Sequence, residues 1–159
     1  MFETSHLHPM IVHFPIALII VGFLFDAISL FVKKEFFSTA GFYLLILGTL
    51  GVVAAFFSGT SAGSGITEAG TLKQALETHE GAAELALWLM VITAVVRIAL
   101  VATKKYQGGF KYAALVLFLL GVLAIARTGY YGGDLVFRHA AGVQFNLGFD
   151  SGAGDSEKE

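Results

Sequence analysis

His8-Pro9-Met10-Ile11-Val12-His13-Phe14-Pro15-Ile16 opens a long apolar run and sets two histidines and two prolines at its mouth. Imidazole is uncommon beside lipid, because a polar ring there must find a partner. Pro9 suits the first turn of a helix, where its missing N–H costs nothing, and His8 then stands at the cap. Pro15 falls within the helix and frees the carbonyl of Ile11. Taken alone, this is a helix start with two interfacial histidines.

Outward from it, four apolar runs stand out, at Ile11–Val32, Thr39–Ser58, Ala82–Ala102 and Tyr112–Tyr131. Each is close to the ~20 residues that cross a bilayer core as a helix. No alternating pattern of barrel strands is present, so helices are the expected form. Composition agrees. Of the 159 residues 56% are hydrophobic and 14% charged, with a mean hydropathy of +0.76, whereas soluble domains carry about 25% charged residues. The expected class is an all-α membrane protein, a four-transmembrane-helix bundle in a lipid bilayer.

Lys33-Lys34 and Lys104-Lys105 flank short connections, whereas residues 59–81 set a single lysine, Lys73, against Glu68, Glu77 and Glu80. The positive-inside rule then puts both lysine pairs in the cytoplasm and both termini outside. The expected setting is a bacterial inner membrane, crossed several times. The N-terminus has no basic n-region and no small-residue cleavage site, so a signal peptide is not expected. The absence of cysteine excludes disulfides, thiolate metal sites and covalently attached haem. A net charge of −2 without a basic block gives no footing for nucleic acid.

Gly59, Gly63 and Gly65 predict a flexible start to the long outer loop. Leu72, Ala75, Leu76 and His79 then follow the i, i+3, i+4, i+7 spacing of a helix, with Thr71 as its cap. After the fourth run, Gly132-Gly133-Asp134-Leu135-Val136-Phe137-Arg138-His139 reads as too polar and glycine-rich to span. It is expected to form an outer segment, 134–149, folded back over the mouth of the bundle. Residues 1–149 make one domain in this reading, and 150–159 a disordered acidic tail.

The chain also repeats itself. Leu50-Gly51-Val52 through Gly63 superposes on Leu120-Gly121-Val122 through Gly133 at an offset of 70. One residue of slip lays Lys33-Lys34 on Lys104-Lys105 at an offset of 71, and with them His8 on His79, His13 on Glu84 and Asp26 on Arg97. The bundle then divides into two tandem helical hairpins, about 8–63 and 79–133, related by an axis along the membrane normal. Eighteen residues separate His8 from Asp26, and His79 from Arg97. That is about five helical turns, so in helices one and three a histidine at the outer end shares a face with a charge deep inside. Asp26 and Arg97 lie at similar depth, and pairing across helices is the natural relief of their cost. Gly48, Gly51, Gly59, Gly121 and Gly129 serve either close helix packing or a flat cofactor laid against bare backbone.

With the opening HP-x-x-VHFPI motif, His79 and the closing GG-x-LVF-x-H motif in view, the chain resembles a family of prokaryotic membrane proteins grouped as domain of unknown function 2231, DUF2231. The resemblance covers most of Leu7 to Phe145. It implies four helices. Some related chains are fused to cytochrome-like or other redox domains, which implies a redox setting. Related chains often read His-Gly after the closing motif, where this one reads His139-Ala140-Ala141-Gly142; the departure falls on the turn after His139.

All five histidines, His6, His8, His13, His79 and His139, fall at the outer face in this topology. Gathering His8, His13, His79 and His139 at one end of a bundle predicts a ligand cluster, since imidazole is the commonest metal ligand and bundle cores are common cofactor sites. Three functions stay open. The first is electron transfer by haem b. His8 and His79 are its symmetric ligand pair, His13 and His139 the competitors, and Arg127 and Arg138 meet the propionates. Its partner would be a quinone or a periplasmic redox protein. The second is a non-haem copper, zinc or iron ion held by the histidines with Glu80 or Glu84. The third is a cofactor-free anchor, as a homo-oligomer or within a larger membrane complex. No catalytic residue, phosphate loop or dinucleotide fingerprint is visible.

Overall fold

The computed structural model describes residues 4–64 and 70–141, with side chains from His8 onward. The acidic tail and residues 142–149 of the outer segment lie outside the described residues, as does Gly65. Four helices make up the fold: α1 (Thr4–Ile28), α2 (Glu35–Gly63), α3 (Thr71–Ala102) and α4 (Gly108–His139). All four are long and apolar enough to cross a membrane, and no strand occurs among the described residues. One end of the bundle carries His8 and His79, the other the two lysine pairs.

Every helix extends past its apolar run at the histidine end. At 32 residues each, α3 and α4 reach about 48 Å, well beyond the ~30 Å of a hydrocarbon core. Three local expectations are corrected by this. Gly132-Gly133-Asp134 does not fold back; α4 runs straight through it to His139. Gly59 and Gly63 belong to α2 rather than to a flexible loop. Pro9 lies inside α1, which starts at Thr4, so His8 is not a cap. Packing against neighbouring helices, as at Gly59 against His8, Gly63 against Leu76 and Gly132 against His79, outweighs the weak intrinsic helix propensity of glycine. α3 does begin at Thr71, but Gly70 occupies the cap position and no side chain bonds there.

α4 ends in a turn of defined geometry. Ala140 N–H donates to Val136 O and Ala141 N–H to Leu135 O, both at 3.1 Å. Ala140 is left-handed, with φ 50°. The Ala140-to-Val136 bond is that of the αL motif, in which alanine holds the place that glycine usually takes.

α1 packs along α2 and α3 along α4, and the hairpins meet more thinly, α2 against α3 and α1 against α4. Bare backbone makes the first hairpin tight. A Cβ at Gly48 would stand 2.6 Å from Ile19 Cγ1, and one at Gly51 2.9 Å from Pro15 Cβ. Ile19, Leu45, Met90 and Phe118 fill the centre. Phe14, Phe31, Leu50 and Trp88 point outward, as side chains do when lipid rather than water surrounds a bundle.

The polar ties between hairpins sit at the lysine end. Arg97 Nη2 donates to Asp26 Oδ1 at 3.0 Å, with both side chains buried. It also donates to Ser38 O at 3.1 Å and Ser38 Oγ at 3.2 Å. The guanidinium carbon lies 3.1 Å from the centre of the Tyr106 ring, a stacked cation–π contact. Lys111 Nζ donates to Ser29 O at 3.0 Å, where the negative end of α1 favours a cation.

Candidate ligand site between the hairpins

At the histidine end no side-chain hydrogen bond joins the hairpins among the described residues. A cavity of ≈ 360 Å³ separates them instead. This is within the range of small-molecule and cofactor sites, roughly 300–1,000 Å³. All four helices contribute walls: Val12 and Pro15 from α1, Ala55 and Gly63 from α2, Leu76 and Ala83 from α3, Ile125 and Gly129 from α4. The polar groups are few: His8, Thr60, His79, Glu80 and Thr128. Among the described residues no lysine or arginine lines it.

His8 and His79 face this space from opposite hairpins, with ring centroids 6.5 Å apart and planes at 77°. Each is oriented within its own hairpin. His8 Nδ1 is 3.0 Å from Ser58 Oγ, and Ser58 Oγ in turn donates to Ala55 O at 2.9 Å. With that proton committed, the hydroxyl oxygen accepts from His8 Nδ1–H. His79 Nδ1–H donates to Thr128 O at 3.1 Å. In this arrangement both Nε2 atoms carry the lone pair, and neither has a protein partner among the described residues. This is the usual device for presenting imidazole to a metal, one ring nitrogen fixed and the other free. Glycines let the rings lie close. A Cβ at Gly59 would be 2.9 Å from His8 Cε1, and one at Gly132 3.2 Å from His79 Cε1.

The separation has a chemical meaning. Metal–imidazole bonds are about 2.0–2.1 Å and the ring centre lies about 1 Å beyond the nitrogen, so two imidazoles on opposite sides of one ion have centroids about 6 Å apart. The observed 6.5 Å is close to that spacing.

The other expected site residues lie elsewhere. His13 is exposed, and its Nδ1 donates to Pro9 O at 2.6 Å. Five residues beyond His8, it is turned about 140° round the helix, away from the cavity. His139 is half-buried at the last position of α4 and is not among the residues lining the cavity. Arg127 lies over the Tyr131 ring at 5.4 Å, and Arg138 Nε bonds Asp134 Oδ1 at 2.9 Å. Neither lines the cavity. No group of three or more His, Cys, Asp or Glu side chains that could hold a metal ion occurs among the described residues. The expected four-histidine cluster therefore reduces to a facing pair. Ser58 and Thr128 were not singled out by residue type, although they fall on each other at the offset of 70 and each precedes a glycine.

The family profile described as "Predicted membrane protein (DUF2231)" matches residues 4–145, which include all four helices and both cavity histidines. The chain belongs to DUF2231. As a DUF2231 protein it is a membrane protein, in agreement with its four helices long and apolar enough to span a bilayer. Neither a curated protein nor a solved structure matches the chain.

Proposed function

We propose that this DUF2231 protein is a membrane b-type cytochrome whose haem is held by His8 and His79. One observation carries the reading. Two imidazoles from different hairpins, each with Nδ1 engaged and Nε2 bare, face each other across an apolar cavity. The donor set suits haem iron, for which imidazole is an established axial ligand. The walls suit a flat ring as well: Gly129 has nothing within 4 Å of where a Cβ would stand. With no cation among the described lining residues, the propionates would rely on water at the histidine end.

Haem supplies reversible one-electron transfer when bound. The chain's own part is to orient the two ligands, hold them at one depth and exclude water with Val12, Pro15, Leu76 and Ile125. Because the site lies at one end, electrons enter and leave at that face. The partner is a quinone from the bilayer or a redox protein on that side, which the positive-inside rule makes the periplasmic side of a bacterial inner membrane. A non-haem ion is less well served, since a facing pair falls short of the four ligands usual for zinc.

Absorption spectroscopy of protein expressed with ample haem tests the reading. The expected result is a sharp Soret band with split visible bands on reduction. A purified protein without Soret absorption but with stoichiometric copper, zinc or iron would move the assignment to a non-haem site. Neither haem nor metal would leave the anchoring role.

A further inference from the structure

His8 and His79 are held by unlike acceptors. The partner of His79 is a main-chain carbonyl, Thr128 O. A carbonyl only accepts, so His79 is protonated on Nδ1 and its Nε2 is free to bind. The partner of His8 Nδ1 is the hydroxyl of Ser58 at 3.0 Å, and the carbonyl of Ala55 also lies within reach of the ring. A hydroxyl both donates and accepts. With its proton on Ala55 O, 2.9 Å away, Ser58 accepts from His8 and leaves Nε2 bare. With its proton turned toward His8, the hydrogen of the ring moves to Nε2 and metal binding there is blocked.

The contrast arises at equivalent places in the repeat. The Thr128 hydroxyl donates to Ala124 O at 2.9 Å, much as Ser58 donates to Ala55 O. Yet the second hairpin offers its histidine the carbonyl, whereas the first offers the hydroxyl itself.

We propose that Ser58 is a positioning residue for His8, whose hydroxyl selects the metal-binding tautomer and sets the donor strength of the ring. The inference rests on the haem reading above. An acceptor on Nδ1–H pushes electron density toward Nε2 and stabilises the more oxidised metal. An alcohol is a weaker acceptor than an amide carbonyl, so His8 is the weaker of the two ligands.

The test is redox titration and electron paramagnetic resonance of the haem-loaded protein in detergent. Ser58→Ala raises the midpoint potential, changes the ferric g-values, and weakens haem binding by about 10–100-fold, the usual cost of losing such a partner. Ser58→Thr, which keeps a hydroxyl, restores all three. Thr128→Val removes the hydroxyl at the equivalent position but keeps the carbonyl used by His79, and moves the potential less than Ser58→Ala. Should Ser58→Ala fail to accumulate, Ser58→Asn carries the test, since its amide oxygen is a stronger acceptor and lowers the potential. Haem-loaded variants with unchanged potential and g-values would overturn the role of Ser58 and leave the cytochrome standing. A wild-type protein with no Soret band would overturn both.

Discussion

Arg97 Nη2 lies 3.0 Å from Asp26 Oδ1, and the two residues stand 71 positions apart, the interval that also separates His8 from His79. One spacing therefore governs both ends of the bundle. At the lysine end the corresponding positions form a buried ion pair. At the histidine end they are two rings facing a cavity. The hairpins are clamped by charge at one end and left apart at the other.

The clamp is expected to dominate assembly of the hairpins. Removing one partner of a buried pair costs about 3–5 kcal/mol, because a charge is left uncompensated. Asp26→Asn should lower the thermal unfolding temperature in detergent sharply, and Asp26→Asn with Arg97→Gln should recover part of the loss. Strictly additive changes would show that the two residues are not coupled.

The facing pair sets an unequal role for the histidines. His79→Ala should abolish the haem spectrum or turn it high-spin, whereas His13→Ala, on an exposed face and bonded to Pro9 O, should leave the Soret band in place. Equal losses in the two variants would place the ligand elsewhere.

The end of α4 carries a correctable strain. Ala140 is left-handed at φ 50°, a conformation that costs a residue with a Cβ about 1–2 kcal/mol. Ala140→Gly should stabilise the terminus by about 1 kcal/mol after the entropy of glycine is set against the relief. Slower amide hydrogen exchange over residues 135–140 is the measurement.

Two glycines that look alike in sequence should differ in tolerance. A Cβ at Gly48 meets Ile19 Cγ1 at 2.6 Å with Ile19 N only 3.4 Å away, whereas one at Gly121 meets Met90 Sδ at 2.6 Å. Gly48→Ala should cost about 1–3 kcal/mol by overpacking, and Gly121→Ala less, because a thioether can swing aside. Comparison of the two thermal midpoints checks the order.

Sidedness follows from lysine placement. Single cysteines at positions 34, 78 and 105 of this cysteine-free chain should label with an impermeant reagent from the outside at 78 alone. Labelling of 34 and 105 with 78 protected would invert the topology.

The sequence by itself determined the class, the number of helices and the spacing that relates Asp26 to Arg97. These are sums over neighbours along the chain: hydropathy over twenty positions, charge over a loop, an interval between like residues. Even there the helix ends escaped it, because Gly132-Gly133-Asp134 reads as a break until packing against α3, as at Gly132 against His79, keeps α4 intact to His139. The repeat had already set His8 against His79, but that these two line one cavity while His13 does not was decided only by tertiary structure. His8 and His13 belong to one motif, yet the turn of α1 sends one into the cavity and the other away from it. Likewise Arg127 and Arg138, placed near the site by sequence, bind Tyr131 and Asp134 instead, and the tautomers rest on Ser58 and Thr128, some fifty residues away from their histidines. Rotation of a helix about its axis and its distance from a neighbour are set by packing of the whole bundle, as at Gly48 against Ile19, and no local pattern of residues encodes them.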